Sequence, residues 1–273
     1  MENLQSDHLD TQNLYRDMQK RTGGEIYIGV VGPVRTGKST FIKRFMDVAV
    51  LPYMEDAAQK TRAQDELPQS AGGRTITTTE PKFIPQEAVE LKLAGEVTIR
   101  VRLVDCVGFM VEGAAGHLED GAERLVKTPW YDHEIPFTQA AELGTRKVIT
   151  DHSTIGIVVT TDGSFSDLPQ ETYLDAENQA ISELKKLHKP FLVLVNSRIR
   201  RHTARRRQSG LKQHSVAAMP VNCAQLSEED IRQIMEQILY EFPVSRVEFY
   251  MPKWVEMLPF PSVKDRADRK IRS

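Results

Sequence analysis

Residues 32–39, GPVRTGKS, constrain what this chain can fold into more than any other stretch. They fit G-x-x-x-x-G-K-[ST] in full, between an apolar run, EIYIGVVG, and a helix-like run, STFIKRFMDVAV. A strand that ends in such a loop and hands over to a helix is the context a phosphate-binding motif requires. Glycine at Gly32 and Gly37 lets backbone N–H groups approach phosphate oxygens, and the helix N-terminus adds partial positive charge beneath the anion. The motif therefore assigns Gly32, Arg35, Thr36, Gly37, Lys38, Ser39 and the adjoining Thr40 to nucleotide binding. Lys38 bridges the outer phosphates as a catalytic cation, and the Ser39 hydroxyl is a ligand for Mg²⁺. Arg35 has two readings: a cis arginine that stabilises transition-state charge, or a solvent-facing side chain whose backbone serves the phosphates.

A second phosphate-facing pattern lies about 70 residues on. RLVDCVG places Asp105 at the end of an apolar run with Gly108 three residues later. An aspartate there holds Mg²⁺, and a glycine N–H there reaches the terminal phosphate. Between the two patterns lies GRTITTTEP. Loops of this kind order around a triphosphate and release after hydrolysis. Thr78 and Thr79 are the candidate phosphate-sensing residues, Thr79 also as a metal ligand; a plain strand of threonines is the alternative. After D-x-x-G many GTPases carry a glutamine that orients the attacking water, and here Phe109 takes that position. Phenylalanine has no group for that task, so slow or assembly-dependent turnover is expected.

The rest of the chain alternates strand-like and helix-like stretches. Residues 96–108 and 153–164 and the run KPFLVLVN read as strands, and VAAMPVNC as a shorter one. Residues 138–152 and 168–187 read as helices, KTPWYDHEIPF as a loop, and residues 51–80 as a polar stretch with little periodicity. SEEDIRQIMEQILYEF is the clearest helix, with Ser227 and Asp230 as a capping box and Ile231, Ile234, Met235, Ile238 and Leu239 on one face. The pattern predicts an α/β fold with a mostly parallel central sheet flanked by helices. A polar helical extension over residues 1–22 precedes a nucleotide-binding domain over 23–245, and residues 246–273 begin something further. A formal net charge of −2 gives no general attraction to nucleic acid. Two unpaired cysteines argue against a disulfide or zinc scaffold. The N-terminus lacks a signal-peptide core, and no apolar run approaches the roughly 20 residues that span a bilayer. A cytoplasmic location is expected.

Base choice turns on Asn196-Ser197-Arg198-Ile199, which stands where a GTPase has Asn-Lys-x-Asp. The missing aspartate is the group that accepts hydrogen bonds from guanine, and its loss removes several orders of magnitude of preference. ATP is therefore expected over GTP, with Asn196 retained at the base site. At this point the chain resembles the stage IV sporulation protein A family. The resemblance rests on KRTGGEIYIGVVGPVRTGKSTFIK, RAQDELPQSAGGRTITTTEPKF, VRLVDCVGF, TPWYDHEIPFTQAAELGTRKVI, HSTIGIVVTTDGS and LYEFPV. It implies a phosphate-loop domain akin to translation-factor-type GTPases but using ATP and Mg²⁺. It further implies self-assembly into the basement layer of the spore coat, in the mother cell at the outer forespore membrane. The implied partners are further copies of the chain, a small amphipathic membrane peptide that anchors the layer, and coat proteins above it.

Two stretches depart from the family pattern. Residues 199–215, IRRHTARRRQSGLKQHS, are basic where relatives have a mixed helix. An anion-binding patch, a solvated face and a reading-frame slip in the gene are the three readings, and the last is preferred. The family also continues past YMPKWVEMLP into a middle domain that residues 246–273 only begin, which puts assembly by this chain in question. A GTPase of the same superfamily, or a nucleotide-binding scaffold with little turnover, are the alternatives to an ATPase.

Overall fold

The computed structural model describes residues 16–17, 19–68, 80–93, 97–114, 118–119, 122–165, 168–198, 211 and 216–242. The chain divides into two units after Phe242, and everything described lies in the first. Thr78 and Thr79, nearly all of residues 199–215, and residues 246–273 fall outside the described residues.

One six-stranded sheet organises the unit, in the order β10–β9–β8–β1–β3–β2. Its strands are β1 (Glu25–Val31), β2 (Lys82–Leu93), β3 (Val97–Asp105), β8 (Ile155–Thr161), β9 (Phe191–Asn196) and β10 (Ala218–Val221). Only the β2–β3 pairing is antiparallel. A parallel sheet must be covered on both faces, which is why β8 and β9 read as unbroken apolar runs rather than alternating ones. On β1 the alternation decides the layers. Ile26, Ile28 and Val30 face helices α1 (Lys38–Phe45) and α5 (Glu228–Tyr240). Val31 joins the opposite core with α4 (Leu174–Lys186) and the turn of helix after α3 (Phe137–Lys147). The α5 start behaves as its sequence predicts: Asp230 N–H donates to Ser227 Oγ at 3.2 Å, and Ser227 N–H donates to Asp230 Oδ2 at 3.0 Å.

The sequence reading missed several elements. KTPWYDHEIPF is a hairpin, not a loop: β6 (Leu125–Thr128) pairs with β7 (Tyr131–Pro136), after the short pair β4 (Leu118–Glu119) and β5 (Ala122–Glu123). The hairpin is polar and exposed along most of both strands, so it carries no apolar alternation to read. Helix α2 (Ala57–Asp65) is likewise almost wholly exposed and is held at its start by Asp56 Oδ1, which accepts from Ala58 N–H and Gln59 N–H. Strand β2 contains Pro85, a residue tolerated at the edge of a sheet.

The opposite edge carries a proline as well. Val193 and Ser197 N–H donate to the Ala217 and Val221 carbonyls at 2.9 and 2.8 Å. Pro220, out of phase with those two residues, therefore turns its missing donor to the side of β10 away from β9.

A lysine holds the end of α3 to the sheet. Lys189, just before β9, donates from Nζ to the carbonyls of Ile149, Thr150 and Ser153 at 2.5, 3.0 and 2.6 Å. Hydrogen bonds from a charged donor contribute about 1.5–3 kcal/mol, and carbonyls at a helix C-terminus favour a cation. Lys189→Met is expected to lower unfolding free energy by about 2 kcal/mol, read as a lower midpoint with unchanged slope in urea denaturation.

Candidate functional site

The glycine loop folds around its own lysine. Lys38, in the first turn of α1, is buried and donates from Nζ to the Pro33 carbonyl at 2.6 Å. Thr36 is buried too, its Oγ1 lying 2.6 Å from the Val159 carbonyl of β8 and 3.0 Å from that of Pro33. A Cβ on Gly32 would stand 2.5 Å from the Val159 carbonyl oxygen, and one on Gly37 2.5 Å from Asn196 Nδ2. Both positions also have φ in the left-handed half of the map. Arg35 reaches φ +61° without being glycine, and its side chain is exposed and engaged in contacts of its own. Thr40 follows on α1, half-buried.

Strand pairing delivers the second pattern to this loop. β3 lies parallel to β1 with Asp105 opposite Val30, so both strands end at the same level. Ser39 Oγ donates to Asp105 Oδ2 at 2.8 Å. Beyond Asp105 the chain is stapled to the loop: Phe109 N–H donates to the Gly32 carbonyl at 3.1 Å, and Val34 N–H to the Phe109 carbonyl at 2.9 Å. Phe109 is fully buried among Val31, Val34 and Val104. Gly108 has φ +101°, and a Cβ there would stand 2.3 Å from the Gly32 carbonyl oxygen and 2.5 Å from Lys38 Nζ. Its N–H donates to Thr145 Oγ1 on α3 at 3.1 Å, a contact that nothing in the sequence around Thr145 announces.

Dehydration sets the electrostatics. Burial pulls the Lys38 ammonium below the usual lysine range, with Cys106 and Asp105 acting in the opposite sense. Burial pushes the Asp105 carboxyl up, opposed first by the Ser39 hydrogen bond and then by Lys38. A polyphosphate beside Lys38 would favour its ammonium form, and a divalent cation beside Asp105 its carboxylate form. One hydroxyl and one carboxylate form an all-oxygen set that suits Mg²⁺, a cation that keeps one or two protein ligands and takes the rest from phosphates and water. Among the described residues no group of three or more His, Cys, Asp and Glu gathers, so no self-contained metal cage competes with this arrangement.

At the base side, Asn196 braces the loop. Its Nδ2 donates to the Thr36 carbonyl at 3.0 Å, and its Oδ1 accepts from Cys223 N–H at 3.0 Å. Ser197 is buried, donating from Oγ to Asp162 Oδ2 at 2.6 Å. Arg198 is exposed, with its N–H on Ser164 Oγ at 2.9 Å and its guanidinium 5.7 Å from the centre of the Phe165 ring. The side chain that would flank a guanine as lysine is thus short, buried and turned to the protein. Ile199 lies outside the described residues.

A loop closed by glycines over a buried lysine, one hydrogen bond from an acid on the neighbouring parallel strand, has one use, which is to grip a polyphosphate: this is the fold of the phosphate-loop NTPases. The sequence narrows the class. The profile described as stage IV sporulation protein A, ATPase domain, matches residues 9–243, and the chain belongs to that family. It is 50% identical over 248 residues to stage IV sporulation protein A of Clostridioides difficile (strain 630), covering 90% of this chain and 50% of that protein. It is 46% identical over 252 residues to the proteins of that name from Bacillus anthracis and Bacillus subtilis (strain 168), covering 92% of this chain and 51% of each. The chain thus spans about half the length of these relatives. Among solved structures, an SsGBP variant superposes with TM-score 0.44 at 13% identity, over 86% of this chain and 64% of that one. The FeoB G-domain from Methanococcus jannaschii gives 0.37 at 11% identity, over 79% and 98% respectively.

Two outcomes test this geometry. Gly108→Ala must displace either the Gly32 carbonyl or Lys38, and backbone strain of this kind costs about 1–3 kcal/mol. A tenfold or greater loss of nucleotide affinity is expected by calorimetric titration, with the fold retained by circular dichroism. Burial also pushes the Cys106 thiol up to about 11 and the Cys223 thiol up to about 12. A raised thiol pKa keeps the protonated form through neutral pH, and for Cys223 the thiolate fraction at pH 8 falls roughly a thousandfold below that of a free cysteine. Iodoacetamide at pH 8 should leave both thiols unmodified in the native protein and alkylate both in denaturant, as read by mass spectrometry.

Proposed function

We propose that this chain binds ATP with Mg²⁺ and hydrolyses it to ADP and phosphate. Hydrolysis then drives self-assembly of a sporulation protein into the basement layer of the spore coat. The observation that carries the hydrolytic part is the 2.8 Å hydrogen bond from Ser39 to Asp105, which joins the phosphate loop to the acid of the neighbouring strand. Lys38 neutralises the outer phosphates, and Ser39 and Asp105 hold the cation side of the same group. Ser39 and Asp105 would hold Mg²⁺ there, and the ion would offset the negative charge of the phosphates. Thr78 and Thr79 belong to the loop that senses the terminal phosphate. Choice of ATP over GTP is supported by Ser197, a short buried side chain held on Asp162 where the guanine-reading motif has its lysine.

The family's name supports a role in sporulation; with it we propose the mother-cell cytoplasm at the outer forespore membrane as the location, and a small amphipathic membrane peptide below and coat proteins above as the partners. Contact with the membrane through that partner agrees with a chain in which no helix among the described residues is long and apolar enough to cross a bilayer. No nucleic acid partner is proposed. A second reading, a scaffold that binds nucleotide and turns it over little, is favoured by Phe109, sealed in apolar surroundings where a water-orienting side chain stands in many GTPases.

Phosphate release from ATP and from GTP with Mg²⁺, beside Lys38→Ala, separates these readings. Release from ATP alone, lowered at least about 100-fold by the substitution, is expected on the usual size of such electrostatic contributions. Preference for GTP overturns the base assignment, and tight binding without Lys38-dependent release favours the scaffold.

A further inference from the structure

Gly108 stands over Lys38 Nζ, where an outer phosphate arrives, yet its amide is turned away from the loop toward α3. The acceptor there is specific. Thr145 is fully buried, and its hydroxyl donates to the Ala141 carbonyl at 2.8 Å, one turn back on the helix, with the Cys106 thiol also beside both this hydroxyl and the Gly108 amide. A hydroxyl has a single proton, so the face of Thr145 Oγ1 toward Gly108 is a lone pair, and the 3.1 Å contact is an N–H donated to it. Both sides of Gly108 are fixed. Asp105 is held by Ser39, and Phe109 is paired in both directions with the loop. Cys106 is held as well, its N–H on Asp105 Oδ1 at 3.0 Å and its thiol on the Val30 carbonyl at 3.5 Å, so re-aiming falls to the Val107–Gly108 peptide, and at φ +101° only glycine makes that turn without strain.

We infer that Thr145 is a positioning residue that competes with a terminal phosphate for the Gly108 N–H, so that the phosphate binds by taking this hydrogen bond from it. The inference rests on the nucleotide-binding reading above and adds a route out of the site. When the amide leaves, α3 loses its tether to the phosphate end. α3 starts directly from β7, and Phe137 N–H at its first residue donates to the Arg124 carbonyl at 2.8 Å, beside β6. A triphosphate is thereby reported to the β6–β7 hairpin, and a diphosphate is not.

The test compares wild type, Thr145→Val and Thr145→Ser for binding of ADP and of a non-hydrolysable ATP analogue, each with Mg²⁺, together with amide hydrogen exchange. Valine keeps the branched shape and removes the acceptor, and serine keeps the acceptor. Without the Thr145 acceptor, and with only the weakly accepting Cys106 thiol left beside the amide, the analogue binds about fivefold tighter, the size expected for one neutral hydrogen bond, while ADP affinity stays the same. Exchange at Gly108 rises in the free Thr145→Val protein, and the serine variant behaves as wild type. In wild type, the analogue but not ADP raises exchange over residues 137–147. Equal changes for both nucleotides, no change, or weaker analogue binding in Thr145→Val overturns the inference, as does a serine variant that matches valine. Should Thr145→Val fail to fold, the wild-type exchange decides alone, and identical protection of residues 137–147 with both nucleotides overturns it. A wild type that binds neither nucleotide sinks the nucleotide reading and this inference with it, whereas normal binding with no effect at Thr145 sinks this inference only.

Discussion

Everything at the phosphate end follows from one register, β3 lying parallel to β1 with Asp105 opposite Val30. Because successive side chains on a strand point to opposite faces, a slip of one residue would turn the alternating set of β3 from one core to the other. The two strands are locked by both cores at once, Leu103 in one and Val104 in the other. That lock puts the acid beside the serine of the helix that follows the loop and lets Phe109 pair with the backbone at Gly32 and Val34. The site is positioned by two paired strands buried on both faces.

The loop is held from the other side as well. Asn196 joins three segments, donating to the loop at Thr36 and accepting from Cys223 beyond β10, while itself ending β9. Thr36 adds a bond to β8. A loop whose amides must wait for an anion cannot satisfy itself, so its order is imposed by neighbours with complete hydrogen bonding. Dehydration of Lys38 and Asp105 then acts as stored demand for opposite charge, kept in place by a rigid frame.

Sequence made the frame legible where burial is one-sided or complete. EIYIGVV, IGIVVTT and FLVLVN are strands on both counts, and the α5 capping box and apolar face are found where their residues predict. What stayed hidden had a physical reason in each case. β2 lies at an edge, with Pro85 and charged residues breaking its pattern, and the β6–β7 hairpin is polar along most of both strands. Asn196 stood out by its place at the end of β9, but its bracing contacts join residues far apart in the chain, 160 and 27 positions away. Thr145 was invisible for the same reason, since a threonine on a helix says nothing about which loop amide comes to meet it.

The two outer strands bear on how such a domain keeps company. An unpaired strand edge is a template for any passing strand, and a chain present in many copies is its own commonest neighbour. Here one border strand carries Pro85, and the other presents Pro220 outward where a donor would otherwise complete a new ladder. Backbone stitching at either border is thereby disfavoured, which leaves recognition to side-chain surfaces, and these discriminate between neighbours in ways a bare strand edge does not.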